Sequence, residues 1–557
     1  MIVIKKRARK WIVYSVLFII LLTGFLIVLA ERYVEPLLKD KLHTFIIEGS
    51  DSLYTYSLGD LDATFFGGSV KLKNLQINVD SARFLQLKET YTLPSVTLEL
   101  DLVKAELKNI KILALLLNKR ISIGEIMSKD ANIRLTRHYQ KRDNRERKPL
   151  WKLLKPKINS IAIDRVDLNG VKLLYNNADT SESLKLQFDT CFGLFSHILI
   201  DSTSAQDKTR VGYAKDVSLK FRDLKFRSAD SMSKLKAEVI SYSSKDKLFE
   251  IVDFKMQPTL KDKEAYYKAI GIRKDMNVIE FTKLSFTNFQ LDQFIHENVI
   301  EADSVLVFQP ILSIYLDKTY PPALKSKIGN SPHQQLLKAK SLIRIKGAAI
   351  KGAKFTYIEK GEKTKKEGTL SFANLNAHIS NITNDSLLIK QNHKCIANIK
   401  GNILGKGLIE TNFTFYLDSL NGSFHVDGTI KNIQAADLNV LSKPLGNMDL
   451  RSFNMPYLNF AVDGNDHQAR GQVQMRYNNL FVVLLKTDKE TGITKTNDFL
   501  TKILNKYTFQ NENPGPNGVA RTAKRAVQYR LTTQSFFGLI WRTVFGGMQT
   551  IMMNSKE

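Results

Sequence analysis

"FFGGSVKLKNLQINVD", Phe65 to Asp80, is the stretch on which the reading of the fold turns. Val70 and Leu72, then Leu75, Ile77 and Val79, alternate with polar residues, the two-residue period of a strand with one apolar and one wet face. The same alternation returns in "VTLELDL" (96–102), "VSLKFRDLKF" (217–226), "FTKLSFTNFQL" (281–291), "LSFANLNAHI" (370–379), "TNFTFYLD" (411–418) and "GQVQMRY" (471–477). Their wealth of Val, Ile, Phe and Tyr marks a mainly β body. None of these phrases holds an arrangement of residues that does chemistry, so the purpose of a long sheet with one apolar face becomes the question.

Two phrases align without a gap. "IAIDRVDLNGVKLLY" (161–175) matches "IRIKGAAIKGAKFTY" (343–357), with Ile161, Ile163 and Leu173 falling on Ile343, Ile345 and Phe355. Upstream, 106–135 and 285–316 share the order strand, short helical patch (Leu115 and Leu116; Phe294 and Ile295), strand, strand. A spacing of about 180 residues in both comparisons indicates a large internal repeat. Repeats stack, and a sheet that adds strands at about 4.8 Å each is elongated and must curl, split or close. Asn169-Gly170 is expected to make a tight hairpin turn, with Lys351-Gly352 as its weaker counterpart.

The chain has 557 residues, 43% of them hydrophobic, enough to bury a large core. Its formal net charge of +27 speaks of anionic partners, nucleic acid or lipid. Residues 11–30, "WIVYSVLFIILLTGFLIVLA", hold no charge and would cover about 30 Å as a helix, a membrane's width. Lys5, Lys6, Arg7, Arg9 and Lys10 precede them, and the charges that follow nearly cancel, so residues 1–10 are expected to be a cytoplasmic tail. Val28 and Ala30 also suit a cleaved leader, but an apolar run of twenty is longer than such leaders carry. Either way the body leaves the cytosol, which sets nucleic acid aside and points the positive charge to anionic headgroups. Val34, Leu37, Leu38, Leu42, Phe45 and Ile46 then suggest an amphipathic helix over 31–50. Cys191 and Cys395, the only cysteines, are expected as free buried thiols, with a single bridge as the alternative.

A β-rich region is expected over 51–319, covering the first repeat and the start of the second. Within it, 139–157 set eight Lys or Arg against two acids, either a surface patch or a solvated loop. Proline-rich 320–340 read as a linker, 341–509 as the second repeat, and 510–557 as a loop followed by an apolar helix. That helix carries Phe536, Phe537, Ile540, Trp541, Val544 and Phe545, apolar on most sides, and is expected to cap the sheet or lie in a membrane. None of the nine histidines stands three to five residues from another, and "GNILGKG" (401–407) lacks the Ser/Thr and spacing of a phosphate loop. No G-x-S-x-G elbow occurs. The sequence nominates no catalytic residue, metal site or cofactor, and the expectation is a protein that is not an enzyme.

The layout has a likeness. A basic start, one span and an amphipathic helix, then "YTYSLGDLDATFFGGSVKLKNLQI" (54–77), resemble the opening of the AsmA-like family of bacterial envelope proteins. Gly68, Val70, Leu72, Asn74, Leu75 and Ile77 stand where that family places a glycine, an alternating strand and an "nL.i" phrase. "ILALLLNKRISIGEI" (112–126) and "ANIRLTR" (131–137) resemble the family's next block, and "AVQYRLTTQSFFGLIWRTVFGGM" (526–548) its terminal segment. The resemblance implies a repeating, curved β-groove with an apolar concave face, tethered in the inner membrane, projecting into the periplasm and engaged in moving phospholipid towards the outer membrane.

On that footing the groove lining is expected to include Val70, Leu72, Ile161, Ile163, Leu173, Ile343, Ile345 and Phe355. The expected partners are phospholipid or another acyl lipid, the inner membrane, and an outer-membrane or envelope protein. A scaffold for outer-membrane or surface-polymer assembly, with no lipid carried, is the competing reading.

Overall fold

The computed structural model describes residues 46–64, 68–90, 93–94, 96–111, 120–138, 151–152, 159–177, 185–207, 209–228, 232–487 and 494–553, together with Pro36, Lys39, Asp40, Leu42 and His43. The chain is mainly β and forms two compact units. Unit 1 runs over Met1–Ser231 and Glu238–Lys245, unit 2 over Met232–Ala237 and Asp246–Glu557.

In unit 1, β1 (Tyr54–Thr64), β2 (Ser69–Val79), β3 (Val96–Lys108) and β4 (Arg120–Arg137) pair antiparallel in sequence order. β5 (Ser160–Asn177) then runs parallel to β4, and β6 (Lys185–Ile200) and β7 (Asp216–Arg227) resume antiparallel pairing. β8 (Ser233–Ser243) is divided between the units.

Unit 2 repeats this scheme and extends it. β9 (Leu248–Pro258) pairs antiparallel with β10 (Met276–Thr287), which meets both β11 (Val299–Phe308) and β12 (Ile311–Asp317). These two together play the part of β4, because both run parallel to β13 (Leu342–Lys360) as β4 does to β5. β14 (Glu367–Thr383), β15 (Lys394–Ile403), β16 (Gly407–Tyr416), β17 (Phe424–Gln434), β18 (Met448–Gly464) and β19 (Gln468–Thr487) follow in antiparallel order. β20 (Thr494–Thr496) and β21 (Thr522–Tyr529) both pair with β19.

The repeat extends to backbone detail. Asn74, Asn109, Asp130 and Gly170 in unit 1, with φ of 51°, 55°, 54° and 68°, recur in the same order as Asp253, Asn288, Gln309 and Gly352 in unit 2, with 49°, 55°, 49° and 67°. Asn, Asp and Gly are the types that tolerate this conformation, and at Gly170 and Gly352 it coincides with a break in strand register, the mark of a β-bulge. Asn169-Gly170 is therefore no hairpin turn: it lies within β5, where the register with β6 slips between Leu168 and Val171. Lys351-Gly352 marks the equivalent slip in β13. A Cβ on Gly170 would stand 2.7 Å from Asp130 Oδ1. Gly170→Val is expected to lower stability by about 1–3 kcal/mol, read as a shifted urea midpoint, because the φ strain persists even if Asp130 rotates away. "GNILGKG" is a turn, joining β15 to β16 with Leu404 and Gly405 left-handed.

Helices whose bounds lie within the described residues punctuate the sheets: α1 (Ser81–Glu89), α2 (Lys263–Ile270), α3 (Leu291–Glu297), α4 (Pro332–Leu337), α5 (Ser386–Gln391), α6 (Ala435–Gly446), α7 (Asp498–Ile503) and α8 (Phe536–Met552). Side-chain caps start several of them: Asp80 accepts from Arg83 N at 2.7 Å, Asp262 from Ala265 N at 2.7 Å, and Ser535 from Gly538 N at 3.1 Å. Within 320–340, read from sequence as a linker, α4 buries His333 and Gln334. The expected anchor at 11–30, its basic flank, and the patch at Leu115 and Leu116 lie outside the described residues. Among the described residues, no helix is long and apolar enough to cross a membrane.

Candidate functional site

One face of the unit 1 sheet is apolar on every strand. Tyr56 and Leu58 come from β1, Leu72, Leu75 and Ile77 from β2, Leu100, Leu102 and Ala105 from β3, and Ala131 and Ile133 from β4. β5 adds Leu168, Val171 and Leu173, β6 adds Phe188 and Cys191, and β7 adds Phe221. Leu75, Leu102, Ala105, Ala131, Val171 and Cys191 are buried at the base of this surface, while the larger side chains around them remain half-buried. A sheet normally hides such a face under a second layer. Among the described residues, two side chains of the segment before β1 meet it: Leu42 packs against the cluster, and the His43 ring stands 6.0 Å from that of Tyr56. The phenyl rings of Phe188 on β6 and Phe221 on β7 stand 5.0 Å apart and add an aromatic pair to the surface.

The opposite face is charged. Lys73 pairs with Asp60 at 2.9 Å, Arg134 with Glu99 at 3.1 Å, Arg165 with Asp167 at 3.1 Å, and Lys225 with Asp189. Hydrogen bonds from the two lysines hold the Asp60 and Asp189 carboxyls below their usual range. Exposed pairs of this kind add little stability, and their effect is to fix which side of the sheet faces water. Lys172 and Leu173, neighbours in β5, belong to the two different faces: the lysine is exposed, the leucine part of the apolar surface.

Unit 2 treats its apolar face differently. α8 lies across β18, β19 and β21 and buries Phe536, Leu539, Ile540, Val544, Met548 and Ile551 against Val462, Val473 and Met475. Gly547 permits this approach, since a Cβ there would sit 2.4 Å from Val473 Cγ2. α8 thus covers the face of the sheet in place of its open end. It buries only one of its own sides: Phe537, Trp541 and Phe545 are 61%, 45% and 40% exposed.

The expected groove residues divide accordingly. Leu72 and Leu173 share the unit 1 surface. Val70 sits between Ala63 and Leu107. Ile161 and Ile163 form cross-strand rows, the first with Ile121 and Ile200, the second with Ile123 and Ile198. Ile343 meets Ile300, Ile345 meets Ala302 and Ile382, and Phe355 faces Phe372 at 5.8 Å. All eight are half-buried, five of them in unit 1 and three in unit 2. Sequence reasoning missed Tyr56, Leu58, Phe188 and Phe221; alternation within their own strands is the signal that finds them.

Known protein families and curated proteins offer no match to this chain. Its chemistry is therefore read from the residues alone. Among the described residues, no group of three or more His, Cys, Asp or Glu is placed to hold a metal ion. Cys191 and Cys395 are free and buried in separate units, and burial pushes both thiols up to about 11. At pH 7 to 8 both are expected to resist maleimide until the chain unfolds, with two alkylations per chain appearing by mass spectrometry only in denaturant.

Proposed function

We propose that the protein is a membrane-tethered lipid-handling protein of the bacterial cell envelope, which carries phospholipid acyl chains along an apolar β-groove in the direction of the outer membrane. The observation that carries this reading is the half-exposed apolar face of unit 1, to which all seven strands contribute and against which the described residues place Leu42 and His43. Exposed apolar surface of such extent marks a binding surface in soluble domains. Each methylene withdrawn from water contributes about 0.8 kcal/mol, so an acyl chain of ordinary length supplies ample binding energy. A trough without polar groups offers no deep local minimum, so lipid slides in it without an energy source in this chain.

Residues 11–30 serve in this reading as a single inner-membrane span, with the N-terminus cytoplasmic and the bulk periplasmic. The likeness to AsmA-like proteins supports the same placement, as does the basic flank from Lys5 to Lys10. An envelope or outer-membrane protein receives the lipid. The repeated strand order of the two units, with its matched left-handed positions and the matched register breaks at Gly170 and Gly352, suits a groove built by repetition.

The full chain, extracted in mild detergent, tests the proposal by native mass spectrometry with lipid extraction. Co-purified phospholipid at one or more molecules per chain is expected. A folded, lipid-free chain would overturn the proposal and favour an envelope scaffold.

A further inference from the structure

The segment after β19 turns most of its large apolar side chains to solvent. α7 and the π-turn Leu504–Thr508 that continues it dock on β19 through Thr501 and Asn505, with Leu504 packed against the unit 2 core. Thr501 Oγ1 accepts from Leu484 N at 3.0 Å, Asn505 Oδ1 accepts from Val482 N at 3.0 Å, and the Asn505 amide donates to Val482 O at 2.6 Å. The other four large apolar side chains point away: Phe499 is 73% exposed, Tyr507 63%, Leu500 45% and Ile503 40%. A surface helix ordinarily buries its apolar stripe and shows its polar one.

Exposed Lys495, Lys502 and Lys506 surround these residues, and Asp498 is the one acid in 494–508. Aromatic and aliphatic side chains interleaved with lysines are the composition of segments that lie in a membrane interface. We propose that this segment is a docking site for the surface of an anionic phospholipid bilayer, inserting Phe499 and Ile503 among the headgroups while the lysines meet phosphate. A second copy of the chain suits the site poorly, since a symmetric contact would set lysine against lysine. The inference goes beyond lipid carriage by unit 1 and stands or falls without it.

The test holds the full chain in nanodiscs, which occupy its N-terminal apolar segment, and measures capture of added vesicles. Vesicles of phosphatidylglycerol and phosphatidylcholine in equal parts are compared with phosphatidylcholine alone. Capture of the anionic vesicles, weakened by salt, is expected to fall about tenfold in Phe499→Ser/Ile503→Ser and again in Lys502→Glu/Lys506→Glu. Equal capture by both variants and the parent, or no preference of the parent for anionic vesicles, would overturn the proposal. So would a parent dimer that the same substitutions split, which would assign the surface to a second copy.

Discussion

Leu173→Glu is expected to strip the chain of co-purified lipid, by about tenfold or more, while leaving it folded. Leu173 stands in mid-surface on β5, between Ile133 of β4 and Phe188 of β6. A carboxylate there would have to be desolvated whenever an acyl chain passed, a penalty that one lipid's contacts at that point cannot offset. Because Leu173 is only half-buried, the empty sheet keeps the new charge hydrated and folding survives. Two controls isolate the effect. Leu173→Met, which conserves volume and apolarity, should hold lipid as the parent does. Lys172→Glu places the same charge one residue away on the opposite face and should also be neutral. Lipid per chain by native mass spectrometry reads all three. Retention of lipid by Leu173→Glu would show that the acyl chains lie elsewhere.

The largest effect on stability is expected at Asp466→Ala, with a loss of about 3–5 kcal/mol. Asp466 Oδ1 accepts from Arg530 at 2.7 Å and its Oδ2 from Gln334 at 2.6 Å, with both Asp466 and Arg530 buried. Gly329 N donates to the same carboxylate, and Arg530 also donates to Lys327 O at 3.1 Å. Together these bonds clasp the segment before and within α4 to the β18–β19 turn and to the end of β21, just ahead of the Ser535 cap of α8. Removing the carboxylate leaves a buried guanidinium unpaired, the costly half of the exchange. Asp466→Leu/Arg530→Met removes both charges and should regain most of the loss, a comparison made by urea denaturation.

The clasp also has an acid limit. His333, buried beside Phe415 with ring centroids 5.1 Å apart, has its pKa lowered by burial, so the folded chain binds a proton there less readily than the unfolded chain. Stability from this group is present above the ordinary histidine value of 6.5 and declines as pH falls below it. His333→Phe should flatten that decline in a series of thermal melts.

Much of this architecture is visible in the amino acids, and the failures have physical causes. The strands follow from alternation because a one-sided sheet imposes a strict period of two. The quoted stretch also contained the rule for changes of face. Leu72 and Leu75 share a face although three positions apart, with left-handed Asn74 between them, and the paired Leu102 and Ala105 of β3 keep step without a break in register. Leu168 and Val171 share a face across Gly170, Ile430 and Ile433 across Asn432, and Tyr477 and Leu480 across Asn479. An apolar residue, any residue, Asn, Asp or Gly, and a second apolar residue is thus a phrase that brings the strand back to the same face here. Asn-Gly was misread because its hairpin meaning is local, whereas Gly170 answers to Asp130 on a parallel neighbour.

The clasp had no local signature at all, since its partners lie 64 and 132 residues apart. α8 was legible as an apolar helix, but composition could not divide its sides, and only contact with β18, β19 and β21 separates buried Phe536, Ile540 and Val544 from exposed Phe537, Trp541 and Phe545.

Photocrosslinking in cells at two adjacent positions tests the central claim most directly. Benzophenone side chains are placed singly at Leu173 and at Lys172, which share β5 but face opposite sides. The lipid-groove account predicts phospholipid adducts at Leu173 and none above background at Lys172. Adducts at neither position, or equally at both, would contradict it.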